Sequence, residues 1–169
     1  ISTGTWALFG TELASPVINE EAYKAGLTNE GGHSGTVTFL KNIMGMWLFQ
    51  ELKRDFEAKG TPLSYNEMEK LAENALESSS FINPNDESFA QPGDIVRKIH
   101  NYIEKTGQSP LADKASVIRC VYDSLATEFA RTARDIEKIT GRSYGKIYMF
   151  GGGTKDSLIC RLTAKASGK

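Results

Sequence analysis

The segment with the clearest potential for ligand chemistry is a run of three glycines, Gly151–Gly153, between the apolar stretch KIYMF and the amphipathic stretch TKDSLICRL. Because glycine has no Cβ, its main chain can lie directly against a flat base or a phosphate. The free N–H groups at the start of a following helix add partial positive charge that favours an anion. A tight strand-to-helix turn without a ligand explains the same pattern equally well, so both interpretations stay open.

Three better-known motifs do not fit this glycine run. A P-loop requires G-x-x-x-x-G-K-[ST], and Lys155 does not stand at the position of its lysine. The dinucleotide fingerprint G-x-G-x-x-G lacks its third glycine, and the chain has no G-x-S-x-G nucleophile elbow. If the run binds a nucleotide, it therefore does so with a different geometry.

A second candidate is the hydroxyl-rich start of the chain, where Ser2, Thr3 and Thr5 surround Gly4. A β-hairpin turn that offers hydroxyl and N–H groups can close over phosphate oxygens. An ordinary surface turn is the simpler interpretation of this composition. The segment alone therefore indicates a turn next to a buried strand, and a ligand only in combination with other features.

A third candidate is a pair of amides, Asn42 and Gln50, in the apolar stretch LKNIMGMWLFQ. Their spacing of eight corresponds to about two turns if the stretch is helical. A buried amide without a partner costs about 1–3 kcal/mol, so each needs a hydrogen bond. That partner is either the backbone or a ligand such as a ribose, and the residues alone favour the backbone.

Composition and charge exclude two classes of function. The 169 residues carry a net charge of −1, which is not the basic excess typical of a nucleic-acid-binding protein. No apolar run approaches the roughly 20 residues that span a bilayer, so no membrane association is expected. Cys120 and Cys160 have no Cys or His neighbour at metal-ligand spacing, which favours two buried free thiols in a cytoplasmic protein over a disulfide.

The elements that must position these residues follow from periodicity and turn residues. We expect a strand over residues 1–9, a turn at Gly10, and a return strand in TELASPVI. GTVTFL and KIYMF also have the pattern of strands. Helices are predicted in NEEAYKAG, KNIMGMWLFQELKRDFEAKG, SYNEMEKLAENALE, DIVRKIHNYIEKTG, LADKASVIRCVYDSLATEFARTARDIEKITG and TKDSLICRLTAKASGK. Strands, then helices, then a strand–glycine–helix unit indicate an α/β fold with one sheet.

Six motifs give the chain a resemblance to a known family: ISTGTW, TNEGG, LKNIMGMWLFQ, FINPNDESF, CVYDSLA and FGGG. In this order, from residue 1 to about residue 160, they resemble the C-terminal domain of the FGGY carbohydrate kinases. The resemblance implies an actin-like, ribonuclease-H-like ATPase domain, with a mixed β-sheet flanked by helices. Residues 1–169 would be the ATP-binding domain, truncated at both ends, and an N-terminal domain of the same protein would bind the sugar.

The resemblance also implies a reaction and its cofactors. The expected activity is ATP-dependent phosphorylation of L-rhamnulose to L-rhamnulose 1-phosphate with Mg²⁺, in the cytoplasm. LKNIMGMWLFQ together with TNEGG and INPND favours this ketose over the substrates of sister kinases. A kinase of L-fuculose or D-xylulose is one alternative. A non-catalytic actin-like nucleotide-binding protein, or a structural module whose glycine turn binds nothing, are the others.

By the same resemblance, particular residues are expected to contact ATP. The matched positions are Thr5, Asn42, Gln50 and Gly152, and further possible contacts are Ser2, Thr3, Gly151, Gly153 and Asp156. Asp156 stands where the family usually has Asn, and a carboxylate cannot donate a hydrogen bond to an adenine ring nitrogen. The catalytic Asp is expected upstream of residue 1, so residues 1–169 alone are expected to be inactive. The metal ligands are left unassigned.

Overall fold

The sheet of the domain has four antiparallel strands in the order β1-β2-β4-β3. The computed structural model describes all residues from 1 to 169. The strands are β1 (Ser2–Thr3), β2 (Trp6–Leu13), β3 (Thr28–Gly31) and β4 (Val37–Met44). β1 and β2 form a hairpin in which Thr3 pairs with Ala7, so the hydroxyl-rich start of the chain is a hairpin turn, as predicted. The single strand expected over residues 1–9 is wrong, because this turn divides it into β1 and β2.

The predicted turn at Gly10 is wrong, and so is the return strand that was expected after it. β2 continues through Gly10 to Leu13, and Gly10 pairs with Leu40 of β4. A Cβ at Gly10 would lie only 2.5 Å from the Leu40 Cβ and from the Phe39 carbonyl oxygen. The glycine is therefore required by a close approach between two strands and not by a change of chain direction.

Six α-helices follow or interrupt the strands. They are α1 (Glu20–Ala25), α2 (Trp47–Ala58), α3 (Tyr65–Asn74), α4 (Ile95–Lys105), α5 (Lys114–Thr140) and α6 (Ser157–Ser167). The predicted caps of α1 are confirmed, because Asn19 accepts a hydrogen bond from the Ala22 amide and Gly26 ends the helix in the left-handed conformation. Ser64 caps α3 in a reciprocal capping box with Glu67, which satisfies two otherwise unpaired amides.

The stretch predicted as one helix from Lys41 onward is divided between a strand and a helix. β4 runs to Met44, and α2 begins only at Trp47. A Cβ at Gly45 would lie 2.9 Å from the Ala7 amide nitrogen, so the turn passes tightly against β2. Asn42 consequently lies on a strand and Gln50 on a helix, and they do not share a helical face.

The stretch KIYMF does not form a regular strand, but its last residue extends the sheet. Phe150 lies parallel to β1: its amide donates to the Ile1 carbonyl at 3.0 Å, and its own carbonyl accepts from the Thr3 amide at 2.7 Å. The sheet is therefore mixed at this edge. This pairing brings the glycine run next to the hairpin turn, 147 residues away in sequence.

The core lies between one face of the sheet and the long helix α5. Phe9 of β2 packs against Phe129 of α5, and Lys41 of β4 forms a buried ion pair with Glu128 at 2.8 Å. Helix α6 packs on the same side through Leu158 and Ile159, as its apolar face predicted. α5 thus connects the sheet to the helix that follows the glycine run.

The two cysteines are free thiols, as predicted, but only Cys120 is buried, because Cys160 lies on the partly exposed side of α6. Cys120 is fully buried, its Sγ lies 3.1 Å from the Ser80 carbonyl oxygen, and burial raises the pKa of the thiol to about 11. It is therefore a packing residue at physiological pH. None of the helices has the length and apolar character needed to cross a lipid bilayer.

Candidate functional site

Most of the predicted site residues meet at a cleft of about 390 Å³. Its walls come from the β1–β2 hairpin turn, the N-terminal halves of α2 and α3, and the glycine run before α6. Residues that line it include Thr5, Gln50, Tyr65, Glu69, Gly152 and Asp156. The tertiary fold therefore assembles the cleft from four segments that are far apart in sequence.

The glycine run is packed tightly on the hairpin. The buried Thr3 donates to the Phe150 carbonyl oxygen from its amide and also from its hydroxyl, at 2.7 and 2.8 Å. Gly151 has φ +100°, and a Cβ there would overlap the Thr3 carbonyl oxygen. A Cβ at Gly153 would lie 2.8 Å from the Thr3 Cβ. Two of the three glycines are thus required by packing.

Gly152 differs from its two neighbours. A Cβ at this position would meet nothing within 4 Å, and its φ is not in the left-handed region. Neither the packing nor the backbone conformation of the domain therefore requires a glycine there. Because Gly152 also lines the cleft, its bare main chain is available to a flat ligand.

The hairpin turn supports the start of α2. The carbonyl oxygens of Gly4 and Thr5 accept hydrogen bonds from the amides of Met46 and Trp47, at 3.1 and 3.0 Å. Gln50, one turn into the helix, donates from Nε2 to the Thr5 hydroxyl at 3.3 Å. Thr5 and Gln50 are therefore held side by side at the cleft, and the exposed hydroxyl of Thr5 can still donate to a ligand oxygen.

Asp156 has two internal hydrogen bonds. One carboxylate oxygen accepts from the Ile159 amide at 3.1 Å and caps α6, and the other accepts from the hydroxyl of Tyr122 on α5. Burial raises the pKa of the Asp156 carboxyl, and burial together with this carboxylate raises the pKa of Tyr122. Asp156 therefore fixes the glycine turn to α5 and α6.

The sequence model of the C-terminal domain of the FGGY family of carbohydrate kinases matches residues 1–169. The chain belongs to this family. It is 34% identical to a rhamnulokinase of Bacteroides thetaiotaomicron over 99% of its length, and 34% identical to a rhamnulokinase of Bacillus subtilis over 100%. A rhamnulokinase of Enterococcus faecalis is 37% identical over 97%. The chain spans about a third of the length of each of these relatives.

The fold comparison agrees with the family assignment. A crystal structure of xylulose kinase from Bifidobacterium adolescentis matches 99% of this chain with a TM-score of 0.64 at 16% identity, and the match covers 31% of that kinase. At this identity the likeness establishes the fold alone. It confirms the predicted fold class, an α/β domain with one mixed sheet flanked by helices, as in that kinase.

The FGGY domain brings some predicted residues together and leaves others apart. Thr5, Gln50 and Gly152 share the cleft, together with Gly153 and Asp156. The residues outside it are Ser2, Thr3, Gly151 and Asn42, which do not line its walls. Ser2 and Thr3 are in β1, and Gly151 packs against the Thr3 backbone on the side away from the cleft. Asn42 is exposed on β4, where its carbonyl accepts a hydrogen bond from Asn85 at 3.1 Å.

Helix α3 also contributes to the cleft of this FGGY domain, which was not predicted from the sequence. Tyr65, Asn66 and Glu69 line the cleft from the first turns of the helix. Their stretch has an ordinary amphipathic pattern with a capping box, so no local signal marks them. The structure contains no group of three or more His, Cys, Asp or Glu side chains that could hold a metal ion. The metal ligands therefore stay unassigned.

Proposed function

We propose that the full-length protein phosphorylates L-rhamnulose with ATP and forms L-rhamnulose 1-phosphate. Residues 1–169 supply the nucleotide-binding half, and an N-terminal domain of the same protein supplies most of the sugar site. The observation that carries the proposal is the shared cleft of Thr5, Gln50 and Gly152 in an FGGY domain. Three rhamnulokinases that align with nearly the whole chain support the choice of sugar.

In this proposal each cleft residue has a simple task. The main chain at Gly152 lies against the nucleotide, where a side chain would obstruct it. The Thr5 hydroxyl donates to a phosphate oxygen, and Gln50 orients Thr5 through the hydrogen bond between them. Phosphoryl transfer depends mainly on positioning and charge neutralisation, and Mg²⁺ bound to the phosphates would supply the latter. The expected catalytic Asp outside this chain takes the proton of the sugar hydroxyl.

Two other functions remain to be distinguished by experiment. A kinase of L-fuculose or D-xylulose would use the same nucleotide cleft, since the sugar contacts are expected largely on the other domain. A non-catalytic actin-like protein would bind nucleotide without transferring phosphate. A cytoplasmic location is part of the proposal, because ATP and phosphorylated sugars are held there.

The proposed function is tested by ADP release from the full-length protein in a coupled assay. L-rhamnulose, L-fuculose, D-xylulose and glycerol are compared side by side, with residues 1–169 alone as the inactive control. We expect a clear preference for L-rhamnulose. A preference for another sugar would support a kinase activity but reject L-rhamnulose as its substrate. Binding of nucleotide with no ADP formed from ATP on any of the four sugars would support the non-catalytic alternative.

Substitution of the two predicted amides tests the nucleotide contacts. Gln50→Leu removes the hydrogen bond to Thr5 and is expected to weaken ATP binding about tenfold, the equivalent of roughly 1.4 kcal/mol. Asn42→Leu is the matched control and is expected to change ATP affinity less than twofold, because Asn42 does not line the cleft. Isothermal titration of the full-length variants with ATP measures both. If Asn42→Leu lowered ATP affinity as much as Gln50→Leu, Asn42 would contact ATP as the sequence predicted.

A further inference from the structure

Helix α3 contributes two chemically different groups to the cleft. Tyr65 is the first residue of the helix, and its side chain is half exposed. Glu69 follows four residues later and therefore lies on the same face. Both line the same cleft as Gly152 and Gly153. An aromatic ring, bare main chain and a carboxylate thus border one space.

Glu69 uses only one of its two carboxylate oxygens for the fold. Oε1 accepts three hydrogen bonds at the start of α6: from the Ser157 amide at 2.9 Å, the Ser157 hydroxyl at 2.7 Å and the Leu158 amide at 3.0 Å. Oε2 accepts none from the protein. The carboxylate is therefore fixed in position by one oxygen and retains a free acceptor in the other.

Asp156 is the other carboxylate in the cleft, and both of its oxygens have protein partners, Ile159 and Tyr122. Each Asp156 oxygen already accepts one hydrogen bond, whereas Glu69 Oε2 accepts none, so Glu69 offers a ligand N–H group the carboxylate oxygen without a protein partner. Adenine presents its exocyclic amino group as such a donor, and its flat ring can stack on an aromatic side chain.

We propose that α3 recognises the nucleobase, with the Tyr65 ring stacking on adenine and Glu69 Oε2 accepting a hydrogen bond from its exocyclic amino group. Base selectivity then depends on Glu69 and not on Asp156, which is a positioning residue for the glycine turn. This inference rests on the proposed function, because it requires a purine nucleotide in the cleft.

The first test compares ADP with purine riboside 5′-diphosphate, which has the same ring system without the amino group. Titration calorimetry of the full-length protein is expected to give tenfold or greater preference for ADP, since hydrogen bonds to a charged group are stronger than those between neutral groups. Glu69→Gln is expected to reduce this preference to about twofold or less. Gln retains the Oε1 acceptor, because the three donors at the start of α6 keep its NH₂ group on the free side.

The second test separates stacking from amino-group recognition. Tyr65→Ala is expected to weaken binding of ADP and of purine riboside 5′-diphosphate equally, by about fivefold or more, and to leave their ratio unchanged. Glu73→Gln is the control for the carboxylate, because Glu73 also joins α3 to α6, through Arg161 at 2.6 Å, but does not line the cleft. Tyr23→Ala on α1, where the side chain is largely exposed, is the control for the aromatic residue. Both controls should bind ADP as the wild type does.

The outcomes test the role of Glu69 and the stacking by Tyr65 separately. Equal binding of the two diphosphates by the wild type, or an unchanged preference in Glu69→Gln, would overturn the role of Glu69. An unchanged ADP affinity in Tyr65→Ala would overturn the stacking. In these cases sugar-dependent ADP release would still support the kinase. A wild type that binds neither diphosphate would overturn the proposed function and this inference together.

Discussion

Replacing Gly151 with alanine is expected to destabilise the domain by about 2–5 kcal/mol. Gly151 has φ +100°, which L-residues rarely adopt, and the added Cβ would overlap the Thr3 carbonyl oxygen. This atom belongs to the backbone of the sheet and cannot rotate away. The strain therefore displaces either the glycine turn or the pairing of Phe150 with β1, and both changes open the cleft.

The matched control is Gly152→Ala, one residue further along. Its Cβ would meet nothing within 4 Å, so the thermal midpoint of the full-length protein is expected to stay within about 2 °C of the wild type. ATP affinity is expected to fall about tenfold, because the methyl group enters the space that the proposed nucleotide occupies. Thermal unfolding and calorimetry separate the two effects. Equal destabilisation by the two alanines would contradict the packing of Gly151 on Thr3.

Breaking the ion pair between β4 and α5 is the second change with a large expected effect. The Lys41 ammonium lies 2.8 Å from Glu128, and both side chains are about nine-tenths buried. Glu128→Ala would leave a buried cation without its carboxylate, which costs about 3–5 kcal/mol. Arg131 also bonds to Glu128, at 3.0 Å, but its own side chain is half exposed and loses less.

A double substitution distinguishes a missing charge from a missing side chain. Lys41→Met with Glu128→Leu removes both charges and retains most of the volume, so it should recover most of the stability lost in Glu128→Ala. The measurement is the urea midpoint of the full-length protein for the wild type, the single variants and the double variant. A double variant as unstable as Glu128→Ala would show that packing, and not charge, is responsible.

The walls of the cleft are held in place by contacts within this FGGY domain. Two of its glycines fix the glycine turn to the hairpin, and Asp156 fixes the same turn to α5 and α6. The hairpin carbonyls of Gly4 and Thr5 in turn accept the first amides of α2. The cleft walls thus support one another through contacts within the protein.

The sequence by itself determined the elements whose signals are local. Asn19 and Ser64 cap helices through hydrogen bonds to residues only three positions away, and Gly26 ends α1 where the chain needs positive φ. Such interactions depend on neighbouring residues, so composition and spacing are sufficient to predict them. The family motifs likewise indicated the fold class, and they predicted nucleotide contacts at Thr5, Gln50 and Gly152, which lie in one cleft of the structure.

The tertiary structure alone decided features that depend on contacts between distant segments. Gly10 has the sequence appearance of a turn residue, but the approach of β4 places it inside a strand. The apolar residues around Asn42 fit a helix and a strand equally well, and pairing with β2 selected the strand. In the sequence, Glu69 cannot be distinguished from other carboxylates on helix surfaces. In the structure, its hydrogen bonds to the start of α6, 88 residues away, hold it at the cleft. Long-range contacts of this kind leave no periodicity in the sequence, because neither partner is defined by its own neighbours.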